Sequence, residues 1–221
     1  MVHSSTQSPG VGVDFLVLGL KLNIMKKLIV LCFAWVLVQV AKADSPLTST
    51  NLSLGYESSK WVTQAKTNTG PITGDLVKFL AGKGDLGEKL AVICTLGWGD
   101  NAATNAFEFS SYLAKNKPAK KRTADDYCCL AYLQALGNYF EVKEAGYTAE
   151  LAVEKNPNSF CCQIIWALIK AQQYLHNNTW CEVFKVCEEV RINTTFKQDM
   201  KPEAVKGIFD YINIYQEECK N

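Results

Sequence analysis

The sequence predicts an all-α fold stapled by about four disulfides, and three observations carry that prediction. Apolar residues recur at spacings of three and four along nearly the whole chain beyond residue 56, with Gly, Pro, Asn or Asp between the runs. The strict alternation that marks strands is almost absent. Eight cysteines follow a stretch that reads as a secretory leader, an even number in a chain expected to fold under oxidising conditions.

The leader comes first. Met25-Lys26-Lys27 gives a positive start, Leu28 to Val40 is apolar apart from Gln39, and Ala41-Lys42-Ala43 places small residues where a signal peptidase reads. The apolar core falls short of the roughly 20 residues that a membrane-spanning helix needs, so cleavage is expected and no stable anchor afterwards. The organisation read from this is an upstream extension over 1–24, with Met25 an alternative start to Met1, a signal peptide over 25–43, a flexible leader rich in Ser, Thr and Asn over 44–55, and one helical domain over 56–221. Without residues 1–43, four lysines and Asp14 leave and the formal charge falls from +1 to about −2. Near-neutrality argues against nucleic acid as a general partner.

The helices follow in order. Periodicity places them at Glu57 to Lys66, Thr73 to Ala81, Leu86 to Gly97, Ala102 to Lys115 and Ala124 to Gly137, then at Glu141 to Lys155, Ser159 to His176, Trp180 to Val190 and Pro202 to Cys219. Thr123 is suited to cap the fifth, whose Asp125 and Asp126 complement the positive end of its dipole. Asn156-Pro157 ends the sixth, because proline disfavours the helical conformation in the residue before it. Pro202 stands in the first turn of the last helix, where its missing N–H costs nothing. Ser159 to His176 is apolar around most of its circumference, which predicts burial on several sides.

Cys32 leaves with the leader; the remainder are Cys94, Cys128, Cys129, Cys161, Cys162, Cys181, Cys187 and Cys219. These are disulfide candidates rather than zinc ligands, since paired Cys-x-x-Cys spacings and accompanying histidines are missing. Asn51, Asn177 and Asn193 head Asn-x-Ser/Thr triplets in polar stretches and are glycosylation candidates.

Cys94, Cys128 and Cys161 recur at spacings of 34 and 33, and Leu96, Leu130 and Gln163 occupy matching places, as do Trp98, Tyr132 and Ile165. In this register, over Leu86 to Arg191, the sequence resembles the tetratricopeptide family of helix-turn-helix repeats, which uses about 34 residues per unit with a proline after the second helix. Ala145 to Pro157 looks like such a second helix and Asn105 to Pro118 is a rougher copy. Pro118 and Pro157 lie 39 apart, however, and the family's first-helix pattern is incomplete. The resemblance implies stacked antiparallel helical hairpins, a short α-solenoid or bundle. In such a stack, neighbouring cysteines on one helix point about 100° apart and reach different partners. Cys94 with Cys128, Cys129 with Cys161, Cys162 with Cys181 or Cys187, and the other of those two with Cys219 is the pairing this arrangement suggests among the 105 possible.

Candidate chemistry is sparse. His176 is the single histidine after residue 43 and stands beside Asn177, which argues against Ser-His-Asp or Cys-His catalysis. Gly82-Lys83-Gly84 lacks the Ser or Thr and the earlier glycine of a phosphate loop. Lys115, Lys117, Lys120, Lys121 and Arg122 form one basic cluster, read either as a solvated loop or as an anion-binding patch. Trp98, Tyr132, Phe140 and Trp166 are either core packing or the lining of a ligand cavity. No cofactor, metal site or catalytic residue is expected. Two functional classes remain open: a secreted, non-enzymatic module that binds an extracellular protein, and a carrier of a small hydrophobic ligand held between helices.

Overall fold

The computed structural model describes residues 45–220; the upstream extension, the signal peptide and Cys32 lie outside them. The regular elements among the described residues are helical, as the periodicity predicts. In chain order the helices are α1 (Lys60–Thr67), α2 (Gly74–Ala81), α3 (Leu86–Leu96), α4 (Ala102–Asn116), α5 (Ala124–Gly137), α6 (Lys143–Lys155), α7 (Phe160–His176), α8 (Trp180–Ile192) and α9 (Pro202–Ile212). A 3₁₀ turn at Ala119–Lys121 joins α4 to α5, and a 3₁₀ segment, Asn213–Lys220, follows α9. Among the described residues the extended pairing is a single bridge between Ser159 and Lys197.

Capping chemistry sets many of the boundaries. Ser59 accepts from the N–H groups of Trp61 and Val62, Asp85 from Glu88, and Ser159 from Cys162, each satisfying donors that a first helical turn leaves free. Thr123 and Asp126 form a reciprocal capping box at the head of α5. Asn156 and Pro157 end α6 as expected, and Pro202 opens α9. The helix expected from Pro202 to Cys219 stops at Ile212, where the chain tightens into the 3₁₀ segment that carries Cys219 to within 4.7 Å, Cα to Cα, of Cys181.

From α4 to α8, helices adjacent in sequence are adjacent in space, with the most extensive contacts between α5 and α6, α7 and α8, α4 and α5, and α6 and α7; α3 packs instead on α1 and α5. The core runs along α3, α5 and α7. In α7, Phe160, Cys162, Ile164, Ile165, Leu168, Ile169 and Ala171 are all buried, confirming that this helix is covered on several sides. Burying a branched or aromatic side chain of this kind stabilises the fold by about 1.5–3 kcal/mol.

Residues 45–55 of the stretch expected as a flexible leader over 44–55 are instead packed. Leu47 and Leu52 are buried, the Thr50 hydroxyl donates to the Pro46 carbonyl at 2.7 Å, and the Asn51 carbonyl lies against Gly207 of α9. The physical reason is that a polar composition conceals two buried leucines in a segment whose Thr50 carbonyl meets Cys94 of α3 and whose Asn51 carbonyl and Leu54 methyl meet Gly207 of α9. Polar average and local burial are separate properties.

Candidate functional site

The side chains that sequence analysis singled out do not converge on one cavity. Tyr132 is wholly buried on α5, with the Cys94 thiol as its polar neighbour, and burial raises its pKa well above the ordinary phenol value. Trp166 is half-buried, with the Lys170 ammonium 5.9 Å from its ring centre. Trp98 and Phe140 stand largely in solvent. Of these four, Tyr132 belongs to the packed interior and Trp166 to its margin, Trp98 is partly exposed, and Phe140 lines a groove beside α7.

A different feature gathers aromatic and polar groups. An open groove of about 440 Å³ runs between α6 and α7. Phe140 stands at its head, 57% exposed, and Tyr147 on its α6 wall, 58% exposed. Glu150 of α6 and Lys170 of α7 are paired across it at 3.2 Å. Gly146 forms the floor, where an added Cβ would stand 3.3 Å from the Gln173 amide nitrogen, so the two helices approach closely there. Phe140 stacks on His176 at 6.5 Å between centroids and lies tilted against Tyr139 at 4.2 Å, and Tyr139 in turn meets Trp98 edge-on at 5.7 Å. The result is a row of four rings along one edge of the molecule.

His176 belongs to this row. Its Nε2 is 3.1 Å from the Gln172 side-chain amide. That hydrogen bond and the ring stack hold the imidazole in the row. Among the described residues no cluster of His, Cys, Asp or Glu has the geometry of a metal site, and no helix is long and apolar enough to cross a membrane.

Two of the five residues in the basic cluster are spent on structure. Lys117 donates to both Asp126 carboxylate oxygens, at 2.7 and 2.9 Å, and to the Ala81 carbonyl, while Arg122 reaches back to the Lys117 carbonyl. Lys115, Lys120 and Lys121 remain in solvent. Three exposed lysines around a turn are an ordinary solvated surface.

The sulfur atoms depart most from expectation. Among the described residues one disulfide is formed, Cys181 to Cys219, which ties α8 to the C-terminal segment. Cys94, Cys128, Cys129, Cys161, Cys162 and Cys187 are thiols, all but Cys94 buried. Cys94 is not directed at Cys128; its sulfur donates to the Thr50 carbonyl at 3.7 Å. Cys161 is not directed at Cys129; its sulfur lies 3.1 Å from the Asp199 carbonyl. The expected link from Cys219 to one of Cys181 or Cys187 is present, through Cys181.

The glycosylation candidates fall into two local geometries. At Asn51 and Asn193 the side-chain oxygen accepts from both the backbone N–H and the hydroxyl of the residue two ahead. At Asn177 the Thr179 hydroxyl donates instead to the Tyr174 carbonyl. Asn177 caps α7 and lies at the end of the groove.

Sequence reasoning missed three groups. Lys89 is completely buried on α3, where its ammonium donates to the Gly82 carbonyl at 2.8 Å and to Asp125 at 2.9 Å. The available signal was a lysine on the face defined by Leu86, Leu90 and Ile93. Asp199 receives the Ser159 hydroxyl at 2.6 Å and the Cys161 N–H at 2.8 Å, fastening a distant loop to the positive end of α7. Tyr147, Glu150 and Lys170 carry no local signature, because the groove exists only once α6 and α7 are packed.

The site thus defines a helical scaffold with an amphipathic surface groove. Comparison with family models, with curated proteins and with solved structures gives no match for this chain.

Proposed function

We propose that the protein is a secreted, non-enzymatic binding module, a short stack of antiparallel helical hairpins whose interaction surface includes the α6–α7 groove. The observation that carries the reading is the pair of largely exposed rings, Phe140 and Tyr147, standing over a charged pair in a groove of about 440 Å³. Large aromatic side chains held in water at a concave surface are the groups that gain most when a partner covers them. The sequential packing of α4 to α8 favours the stacked arrangement, in which each hairpin buries its face on its neighbour. The Cys181–Cys219 bond and the leader sequence favour an oxidising, extracellular site. A carrier role has less support, since Trp98, Tyr132, Phe140 and Trp166 share no interior space.

Photo-crosslinking tests the reading. A benzophenone side chain replacing Tyr147 is expected to capture a discrete extracellular protein, and Phe140→Ser should abolish the adduct. Capture no greater than from a probe replacing Lys78, on the exposed face of α2, would refute it. A rise in melting temperature with small hydrophobic ligands would favour the carrier instead, because a ligand bound by the native state alone must raise it.

A further inference from the structure

Of the three Asn-x-Ser/Thr triplets, the one headed by Asn177 stands in the lining of the α6–α7 groove, and those headed by Asn51 and Asn193 do not. Asn177 is exposed and follows His176 directly in the chain. The turn that carries it is firmly set. Its N–H donates to the Gln173 carbonyl, Asn178 takes a left-handed backbone at φ 57°, and both the N–H and the hydroxyl of Thr179 return to the Tyr174 carbonyl. A substituent on the Asn177 amide is thereby held at the end of α7, next to the stack of Phe140 on His176.

The groove itself has the chemistry of a neutral saccharide site. Glu141, Lys143, Glu150 and Lys170 bring equal numbers of each charge to it, and Glu150 and Lys170 offset each other at 3.2 Å. Nothing there asks for an ionic ligand. The exposed rings of Phe140 and Tyr147 offer apolar platforms to the C–H face of a sugar ring, and the Gln173 amide offers a donor and an acceptor to hydroxyl and N-acetyl groups. The reach is short. Gln173 and Lys170 lie one and two turns of α7 before Asn177, about 6 and 10 Å along the axis at a rise of 1.5 Å per residue. Opposite Gln173, Gly146 leaves the α6 wall without a side chain. A pair of linked sugars starting from Asn177 covers that length.

We propose that Asn177 carries an N-linked glycan whose first two sugars lie in the α6–α7 groove over Phe140 and Tyr147, so that glycosylation regulates the binding surface. The proposal rests on the secretory reading of the leader and names a regulation of the groove proposed above. The donor is an oligosaccharide linked through pyrophosphate to a lipid of the secretory route. The Asn177 Nδ2 attacks C1 of the donor's first sugar, the bond from C1 to the pyrophosphate oxygen breaks, and the lipid pyrophosphate leaves with that electron pair. Nδ2 gives up one proton as its bond to C1 forms, and nothing is oxidised or reduced. Transfer acts on the chain before it folds, because in the finished fold the Thr179 hydroxyl is committed to the Tyr174 carbonyl. Sugars held in the groove cover the two rings, and a partner must displace them or meet a chain that lacks them.

The test uses the full chain secreted from eukaryotic cells. Enzymatic release of the glycans in heavy-oxygen water, followed by peptide mapping, marks every occupied asparagine as a labelled aspartate, and Asn177 is expected among them. Nitration of Tyr147 should be several-fold faster in Asn177→Gln and in Thr179→Ala than in the wild type, and unchanged in Asn51→Gln and Asn193→Gln. Loss of the Asn177 glycan should lower the melting temperature by about 2–4 °C in the wild-type background and have little effect beside Phe140→Ser, where the covered ring is gone. An unmodified Asn177, or nitration of Tyr147 that is the same with and without its glycan, would overturn the proposal. Partner capture at Tyr147 separates the two readings. Equal capture with and without the glycan, at unchanged nitration, overturns the proposal and leaves the binding surface standing; shielding of Tyr147 by the glycan with capture from neither form overturns the binding surface and leaves the glycan in its groove.

Discussion

Lys89 and Asp125 allow a quantitative test of how this core tolerates charge. The lysine side chain is 0% exposed and the aspartate 31%, with 2.9 Å between nitrogen and oxygen. Asp125→Ala leaves an ammonium in the interior with one remaining partner, the Gly82 carbonyl at 2.8 Å. Removing one member of a fully buried pair costs about 3–5 kcal/mol, and the partial exposure on the aspartate side lets water recover some of that, so about 2–3 kcal/mol is expected. Lys89→Met removes the buried charge itself and leaves Asp125 in contact with solvent. It should cost about 1 kcal/mol, largely the lost donor to Gly82. For a domain of this size, thermal unfolding should then show a fall of about 5–10 °C for Asp125→Ala and about 2–4 °C for Lys89→Met. The double variant should be more stable than Asp125→Ala alone, because the stranded charge is gone. If Lys89→Met proves as damaging as Asp125→Ala, or the double variant is the worst of the three, desolvation does not govern this site.

Three other outcomes follow from particular contacts. Gly207→Ala should destabilise by about 2–3 kcal/mol in urea denaturation, since its Cβ would stand 2.6 Å from the Asn51 carbonyl oxygen and 2.7 Å from a Leu54 methyl; a neutral effect would show that residues 45–56 are not packed on α9. Cys181→Ser/Cys219→Ser should lower stability by about 3–4 kcal/mol, the chain-entropy value for a loop of 38 residues, and should raise hydrogen exchange in Asn213–Lys220; unchanged exchange there would refute the bond as the tether of that segment. Burial pushes the Tyr56 pKa from 10.0 up to about 12, so the unfolded chain ionises first as pH rises. The neutral phenol therefore contributes its stability fully below pH 10 and loses it between pH 10 and about 12, by about 1–2 kcal/mol, and Tyr56→Phe should show a shallower decline in melting temperature across that interval.

Much of the helical framework was legible because its causes are local. Thr123, Ser159, Asn156-Pro157 and Pro202 act on their own turn of backbone, and each marks a boundary that the folded chain keeps. The apolar circumference of Phe160 to Leu175 likewise announced a buried helix before any neighbour was known. The leader expected at residues 44–55 was misread, because Leu47 and Leu52 were outvoted by the polar residues around them. Average composition has no information about which two side chains find a surface.

What the sequence alone determined, then, is the class of secondary structure, the capping of its helices and the even count of cysteines beyond the leader. The partners of those cysteines were decided only in three dimensions. Neighbouring positions on a helix point in different directions, so whether Cys94 meets Cys128 or the Thr50 carbonyl depends on how α3 and α5 rotate and slide against each other, a matter of whole-core packing. The groove has the same origin. Phe140, Tyr147, Glu150, Lys170 and His176 span two helices and a turn, and nothing in their order along the chain places their side chains together until α6 settles on α7 over the bare backbone of Gly146.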